Sequence, residues 1–557
     1  MEVDVAPGES LLSVLREQLG IVSPKDGCAP QGQCGCCTVL VDGQPRVACV
    51  TPATRVADRT VTTIEGLDPD VRDNLAKSFL VTGGSQCGFC TPGIVTRAAG
   101  MLAKGKTSRV ELDRALAAHL CRCTGWQSVY EAIEGVPDPA RPPRRPDAAM
   151  QRAELEGGVA QRIGASIPLG DGGFADDLAP RDALVAVPRP PGSTAESVEA
   201  GGAQWVIGTS VAEARARAGK VQGRRTTVEA VPPLPLASCP PGGVRLATSW
   251  VEPAYLEPDA SWCEPGGTPA SPLANGGAFG GKASSPVAAV ARELADALGR
   301  PVRVLYARED VVRLGPKRPP IAATARYVDG TVSIVGAAVG DVAPFVAPIE
   351  WPYRIEETAD WTHAQVPGPP TSSHLRAVGR AERTVLVEGA FAEAGTDRAD
   401  LVRDARVASV LLDTCAPASS GALAGARVTL SDVGTIERVL VRVAAGDPLD
   451  DIVLRSYAIG AAHMALGWVL SEGLAVDPDT GEVHDLTIRS FGIIRAKDVP
   501  TIEVEILDDA GPPLAQASDA VFAAVAAAAW NAVTVDAGAR PEAFPAVGTR
   551  AARLLRR

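Results

Sequence analysis

The chain has 557 residues, of which 46% are hydrophobic, enough for three or four domains with buried cores. Its formal net charge of −12 argues against nucleic acid or an anionic membrane surface as the main partner, because both attract basic surfaces. The first residues lack a basic region, and no stretch of about 18 apolar residues lacks a charge, so we expect neither a secretory signal nor a transmembrane helix. We therefore expect a cytoplasmic protein, in which disulfides rarely persist and cysteines more often bind metal.

The first 50 residues alternate between strand and helix signals. They predict a short strand, a turn and a helix with Ser10 as its N-cap and Gly20 at its end. After a cysteine-rich loop, Asp42-Gly43 separates two apolar runs, which is a strong signal for a β-hairpin. This pattern predicts a small α+β unit.

Apolar residues at helical spacing dominate residues 70–134. Residues 135–150 contain five prolines and mixed charge, which predicts an extended linker between domains. Beyond the linker, strand-like runs such as VSIVGAAVGDV alternate with helix-like runs such as PVAAVARELADALGR. The Ala-rich run AVFAAVAAAAWNAV, at 520–533, is predicted to be a buried helix. The rest of the chain is therefore predicted to be a large α+β region.

Nine of the twelve cysteines lie within the first 123 residues. Eight of them form two sets of four, with Cys36 as an additional thiol inside the first set: Cys28, Cys34, Cys37 and Cys49, then Cys87, Cys90, Cys121 and Cys123. The first set has three thiols in a glycine-rich loop and one at a distance, which is typical of a plant-type 2Fe–2S cluster. Zinc remains the alternative for the second set, because Cys-x2-Cys pairs also bind zinc.

The segments GCAPQGQCGCCTVLVDG, SQCGFCTPGIV and CRCTGW resemble the iron–sulfur portion of the xanthine dehydrogenase/aldehyde oxidase family of molybdenum hydroxylases, over residues 1–134. The resemblance implies that each set of four cysteines holds one 2Fe–2S cluster and that Gln86 touches the pterin of the molybdenum cofactor. Two features depart from the family. Five residues instead of four separate Cys28 from Cys34, so Cys36 competes as a ligand, and relatives usually carry one more strand before MEVDVAPGES.

The stretch NGGAFGGK, at 275–282, is a tight glycine turn before a helix on composition alone. It also resembles the molybdenum-site loop of the same family. That resemblance implies cofactor contacts from four residues of the loop and from one later glycine: Gly277, Phe279, Gly280, Gly281 and Gly467. The segment HLRAVGRAERTVLVEG resembles the next site segment, where Arg376 would face the substrate; its alternative is an ordinary salt-bridged arginine.

The family's usual base, a glutamate beside molybdenum, has no counterpart at the expected position. In GPPLAQASD, at 511–519, Ser518 aligns with that glutamate and Asp519 follows it. Asp519 is the candidate replacement base, and its alternative is the N-cap of the following helix. The molybdenum-type region is also shorter than in relatives, and a segment that supplies a cofactor-binding glutamine is missing from it.

Together these observations predict an α+β fold with five consecutive parts. They are a β-grasp 2Fe–2S ferredoxin-like domain (1–58), a four-helix 2Fe–2S-binding domain (59–134), a Pro-rich linker (135–155), an abbreviated first molybdenum-subunit subdomain (156–245) and a molybdopterin-binding region (246–557). The expected cofactors are two 2Fe–2S clusters and molybdenum–molybdopterin, with no FAD in this chain.

The implied function is hydroxylation of an aldehyde or N-heterocycle with water, with electrons leaving through both clusters. The expected partners are a small-molecule substrate, a separate flavoprotein subunit or another electron acceptor, and a second copy of the chain. The alternative is a non-catalytic electron-transfer or scaffold subunit with a degenerate molybdenum region. A zinc-binding interaction module is a third interpretation.

Overall fold

The computed structural model describes residues 3–6, 8–106, 108–135, 145–219, 221, 223 and 228–555. The chain begins with a short helical segment packed on a three-stranded sheet of order β2-β1-β3. Its elements are α1 (Leu11–Ser13), which continues as a π-helical turn, β1 (Thr38–Val41), β2 (Gln44–Val47) and β3 (Val61–Thr62).

The β-hairpin predicted around Asp42-Gly43 is present. Both residues have positive φ, 49° and 68°, the conformation that a tight two-residue hairpin turn requires. Ser10 caps the first helix as predicted, since its hydroxyl accepts a hydrogen bond from the Ser13 amide at 3.2 Å. The strand predicted ahead of Ser10 is wrong for residues 3–6, which form no strand pairing.

Four helices follow the small sheet, as the periodicity predicts. They are α2 (Pro69–Thr82), α3 (Thr91–Leu102), α4 (Arg109–Leu116) and α5 (Gln127–Glu134). Asp68 accepts hydrogen bonds from two amides in the first turn of α2, and Gly83 ends the helix with a φ of 68°. The four-helix cluster-binding domain thus has the predicted secondary structure.

The linker is only partly described, because residues 136–144 lie outside the described residues. The prolines predicted an extended segment, but this prediction is wrong for the second part of the linker, which forms helix α6 (Pro146–Gly157). Pro146 fits the first helical turn, where no amide hydrogen bond is lost. Ala149, Ala153 and Glu156 are buried, so this helix packs into the protein instead of spanning solvent.

Among the residues described after the linker, three sheets and their helices form an α+β arrangement. Their orders are β5-β6-β4-β9-β8, β12-β11-β10-β7-β17 and β13-β14-β15-β16. The strands are β4 (Leu184–Pro188), β5 (Val198–Ala200), β6 (Ala203–Gly208), β7 (Gly243–Thr248), β8 (Ala260–Cys263), β9 (Val302–Leu305), β10 (Ile321–Val328), β11 (Thr331–Val339), β12 (Glu356–Ala364), β13 (Thr414–Pro417), β14 (Leu423–Leu430), β15 (Ile436–Ala444), β16 (Thr501–Ile506) and β17 (Ala543–Phe544). The domain boundary predicted after residue 245 falls inside β7. The sheet β5-β6-β4-β9-β8 also crosses this boundary, because β4, β5 and β6 precede residue 245 and β8 and β9 follow it.

Eleven further helices cover these sheets within the described residues. They are α7 (Ala175–Leu178), α8 (Val211–Ala218), α9 (Val287–Leu298), α10 (Arg308–Leu314), α11 (Ala343–Val346), α12 (Arg380–Glu393), α13 (Arg398–Leu401), α14 (Ala405–Val410), α15 (Asp451–Leu470), α16 (Ala517–Ala537) and α17 (Arg550–Leu555).

Helices α15 and α16 pack against each other in the centre of the largest core. By length and composition alone, both are apolar enough to cross a membrane. Their most apolar windows are 89% and 67% buried inside the protein, which is typical of core helices. The Ala-rich run of α16 is therefore a buried helix, as predicted.

Candidate cluster and cofactor sites

The first cysteine set is gathered in one buried loop and closes onto the end of β2. The thiol of Cys28 is in hydrogen-bond contact with those of Cys34 and Cys49, and Cys49 also contacts Cys37. The contacts from Cys34 and Cys49 hold the pKa of Cys28 well below its usual range, and the same contacts raise the pKa values of the Cys34 and Cys49 thiols. Two backbone amides of the loop also point at the Cys28 sulfur, at 3.3 and 3.5 Å.

Cys36 lies in the same group of sulfurs. It is fully buried, and its thiol is in hydrogen-bond contact with Cys34. The structure therefore brings together the four predicted ligands and also the predicted competitor.

The second cysteine set forms two pairs, each with one thiol from either motif. The sulfurs of Cys87 and Cys123 lie 3.5 Å apart, and Cys90 is in hydrogen-bond contact with Cys121. The contact with Cys90 is the strongest influence on Cys121 and lowers the pKa of its thiol to about 7. These pairs form because Cys87 and Cys90 immediately precede α3, while Cys121 and Cys123 lie in the turn before α5.

Pairing distinguishes a 2Fe–2S cluster from zinc. A structural zinc ion takes four ligands at once, whereas each iron of a 2Fe–2S cluster takes two thiolates. No group of three or more Cys, His, Asp or Glu side chains close enough to hold one metal ion occurs in the described part of the chain. The two thiol pairs of the second set therefore match the two irons of a 2Fe–2S cluster. The two sets adjoin, since the Leu120 amide donates to the Cys34 carbonyl oxygen at 2.9 Å.

The glycine loop lies directly against the second cysteine set. A Cβ at Gly277 would lie 3.0 Å from the Cys87 sulfur and 3.3 Å from the Cys123 sulfur, so only glycine fits there. Gly277 also has a φ of 80°, which favours glycine. The side chain of Asn275 donates to the Cys87 carbonyl oxygen at 3.1 Å and fixes this approach.

The other end of the loop contacts the segment that carries Arg376. A Cβ at Gly280 would overlap the carbonyl oxygen of His374, and one at Gly281 would lie 2.6 Å from the Tyr255 ring. The Arg376 amide donates to the carbonyl oxygen of Phe279 at 3.2 Å, and its guanidinium lies 5.2 Å from the Phe279 ring centre. The structure thus brings the four predicted loop residues and Arg376 together.

Arg376 forms an ion pair at the first turn of α16. Its Nε lies 3.4 Å from a carboxylate oxygen of Asp519, and its Nη2 lies 3.4 Å from the Ser518 hydroxyl. Burial raises the pKa of Asp519, and the neighbouring Arg376 charge opposes that rise. The N-cap alternative for Asp519 is wrong, because the helix begins at Ala517 with Gln516 before it.

Gln86 and Gly467 occupy different surroundings. The Gln86 amide donates to the Cys123 carbonyl oxygen at 2.9 Å and to the Ser456 hydroxyl at 3.0 Å, beside the second set. A Cβ at Gly467 would overlap the Glu472 carboxylate. That carboxylate pairs with both guanidinium nitrogens of Arg122, at 2.5 and 2.7 Å. Gly467 is therefore next to a buried ion pair whose arginine, Arg122, lies between Cys121 and Cys123.

Three side chains at this junction were missed by the sequence analysis: Asn275, Glu156 and Gln161. The Glu156 carboxylate accepts hydrogen bonds from the amides of Ala517 and Ser518, at 3.2 and 2.9 Å, and is paired with Arg152. Both Glu156 and Gln161 come from the residues just after the predicted linker. Linear spacing carried no signal for them, because α6 reaches the site only through tertiary packing.

Two small cavities border the glycine loop, and a third lies beside Gln86. They measure about 10 Å³ beside Gly277, about 20 Å³ beside Gln86 and about 30 Å³ beside Arg376, the space of one or two water molecules each. The glycine cradle and the buried amide groups suit a cofactor with many polar atoms. A pterin is larger than these spaces, so the surrounding segments have to move apart to admit it.

Two family descriptions match parts of the chain. A [2Fe-2S] binding domain matches residues 63–134, and a molybdopterin cofactor-binding domain matches residues 272–335. The chain therefore contains an iron–sulfur part and a molybdopterin-binding part.

Curated relatives match the first quarter of the chain. The nicotinate dehydrogenase small FeS subunit of Eubacterium barkeri is 38% identical over 129 residues, which cover 23% of this chain and 82% of the relative. The xanthine dehydrogenase iron-sulfur-binding subunit of Escherichia coli O157:H7 is 38% identical over 136 residues, covering 24% and 84%. The aldehyde oxidoreductase of Megalodesulfovibrio gigas is 45% identical over 131 residues, but these cover only 14% of its length.

A solved structure extends the similarity of fold to the whole chain. The aldehyde oxidoreductase from Desulfovibrio desulfuricans ATCC 27774 aligns over 98% of both chains with a TM-score of 0.73 and 17% identity. At that identity the match shows the fold alone.

Proposed function

The chain belongs to the xanthine dehydrogenase/aldehyde oxidase family of molybdenum hydroxylases, and on this basis we propose that it oxidises an aldehyde or an N-heterocycle with water. The observation that carries the proposal is the contact of Gly277 with Cys87 and Cys123, which joins the molybdopterin-binding loop to a cluster site. When bound, the molybdenum cofactor supplies the two-electron oxidation and the transfer of oxygen to carbon.

The protein's own part in electron transfer is to hold two clusters in sequence. Cys87, Cys90, Cys121 and Cys123 are the proposed ligands of the cluster next to the glycine loop. Cys28, Cys34, Cys37 and Cys49 are the proposed ligands of the cluster beyond it. The hydrogen bond between Leu120 and Cys34 keeps the two sites adjacent. No FAD-binding part is indicated, so we propose a separate flavoprotein subunit or another acceptor as the electron partner.

Asp519 is the proposed base. It lies in the first turn of α16, and its carboxylate is oriented by Arg376. A general base needs a pKa near the working pH, and burial raises the pKa of Asp519 in that direction. Arg376 would also orient the substrate, because its guanidinium borders the cavity next to Phe279.

A second candidate function is a non-catalytic electron-transfer subunit. It is favoured by Ser518, which stands where the family's glutamate is expected, and by the small size of the cavities around the glycine loop. A cytoplasmic location and a dimer of this chain are part of both proposals.

The test is substrate reduction of the purified full-length protein. The enzyme is mixed without oxygen with benzaldehyde, nicotinate or a purine, and the visible absorbance of its clusters is followed. Bleaching by one of these compounds, together with incorporation of oxygen-18 from labelled water into the product, supports the hydroxylase. A protein that contains molybdenum but shows neither effect with any of the three classes contradicts it and supports the electron-transfer subunit.

A further inference from the structure

The segment 156–162 lies between the glycine loop and the first turn of α16. At one end, Glu156 accepts hydrogen bonds from the α16 amides. At the other end, the Arg162 amide donates to the side-chain oxygen of Asn275, at 2.7 Å, and Asn275 in turn holds Cys87. The segment therefore connects the proposed base to the proposed cluster site.

Gln161 has one satisfied and one unsatisfied end. Its Oε1 accepts a hydrogen bond from the Tyr457 hydroxyl, whereas its Nε2 has no partner among the described residues. The residue is only 4% exposed. The free end lies between its own segment and the glycine loop, since Nε2 would overlap a Cβ at Gly157 and would be 2.6 Å from a Cβ at Gly276.

An unpaired buried amide is costly. Leaving such a group without a hydrogen bond destabilises a protein, because the group has lost its bonds to water and gained none in return. A polar ligand beside the loop would remove this cost by accepting the hydrogen bond. Tyr457, which fixes Gln161, directly follows Ser456, whose hydroxyl accepts a hydrogen bond from the Gln86 amide at 3.0 Å.

We propose that Gln161 binds the molybdenum cofactor by donating a hydrogen bond from its side-chain amide to a polar atom of the pterin. The binding group is thus supplied by the segment that follows the linker helix. This inference rests on the proposed function. The competing explanation is that Gln161 only supports Tyr457.

The test compares two glutamine variants of the full-length protein. Gln161→Met keeps the volume and loses the hydrogen bond from Tyr457 and the proposed one to the pterin. The control Gln127→Met also loses side-chain hydrogen bonds, because the Gln127 amide donates to the Ile502 carbonyl oxygen and accepts from the Ile502 amide. Gln127 is not among the residues around the glycine loop. We expect Gln161→Met to retain about tenfold less molybdenum and pterin per iron after dialysis, the effect of losing about 1.4 kcal/mol of binding. The control should match the wild type.

A third variant covers the case in which Gln161→Met does not fold. Gln161→Glu keeps the shape and the acceptor for Tyr457 but removes the amide donor, so it should also lose molybdenum. Equal molybdenum in the wild type and in a folded Gln161 variant overturns this inference and leaves the proposed function intact. A wild type that contains iron but no molybdenum contradicts the proposed function itself.

Discussion

Gly277 faces Cys87 so closely that a Cβ at residue 277 would lie 3.0 Å from the Cys87 sulfur. Two parts of the chain separated by the linker thus meet at one backbone position. This contact links the glycine loop of the molybdopterin-binding part to a cysteine of the iron–sulfur part.

We expect Gly277→Ala to disturb the cofactor site and the adjacent cluster together. The added methyl group would press on Cys87 and Cys123, and alanine is strained at a φ of 80°. Electron paramagnetic resonance should show an altered signal for one cluster only, with less molybdenum per chain. Gly266→Ala is the matched control, because Gly266 has a φ of 71° and open space around its Cβ position. Unchanged spectra in Gly277→Ala would show that the two sites do not meet.

Cys87→Ser should remove one cluster and leave the other. Its sulfur pairs with that of Cys123, whereas the first set has no contact with it in the described hydrogen bonds. Iron should fall from about four to about two per chain, and the spectrum of the remaining cluster should be unchanged. Iron content equal to that of the wild type would show that Cys87 is not a ligand.

Cys36 should replace Cys34 when Cys34 is removed. The two thiols are in contact, and Cys36 is equally buried. We expect Cys34→Ser to keep the first cluster with a shifted spectrum, Cys36→Ala to keep it unchanged, and the double variant to lose about two irons per chain. If the single variant Cys34→Ser already loses the first cluster, this exchange of ligands is excluded.

Asp519→Asn should lower kcat by about 10²- to 10⁴-fold, the usual contribution of a positioned base, with a smaller effect on KM. Asp519→Glu should retain part of the rate, because it keeps a carboxylate near Arg376. Ser518→Ala is the control. Steady-state kinetics with the best substrate provides the measurement, and full turnover in Asp519→Asn would leave Asp519 a purely structural role.

His463 should make the protein sensitive to acid. Burial lowers the pKa of its imidazole from 6.5 to about 4, so the unfolded chain binds a proton at a higher pH than the folded one. The free energy of unfolding should therefore fall by up to about 3 kcal/mol between pH 6.5 and pH 4. The thermal midpoint of His463→Gln should depend less on pH over this range than that of the wild type, whereas the exposed His363→Gln should behave like the wild type. Parallel curves for His463→Gln and the wild type would contradict this.

Local signals in the sequence predicted local structure well. Asp42-Gly43 marked a hairpin because its turn needs two residues with positive φ, and the helix capped by Ser10 needed only a hydroxyl at its first turn. The Ala-rich run of α16 is apolar on all sides, which requires burial.

Contacts across long stretches of chain were not predictable in this way. The prolines of the linker suggested an extended segment, but α6 forms because its apolar face and Glu156 find partners on α15 and α16. The position of Asp519 resembled an N-cap, yet α16 already begins at Ala517, two residues before Asp519. Nothing in the order of residues indicated that Gln161 meets the glycine loop, or that Asn275 of this loop bonds Cys87.

The most direct test of the whole account is the metal content of the protein purified from its native host. Two clusters and one cofactor predict about four irons and about one molybdenum per chain, without stoichiometric zinc. About four irons with no molybdenum would contradict the hydroxylase, and zinc in place of iron would contradict the cluster assignment.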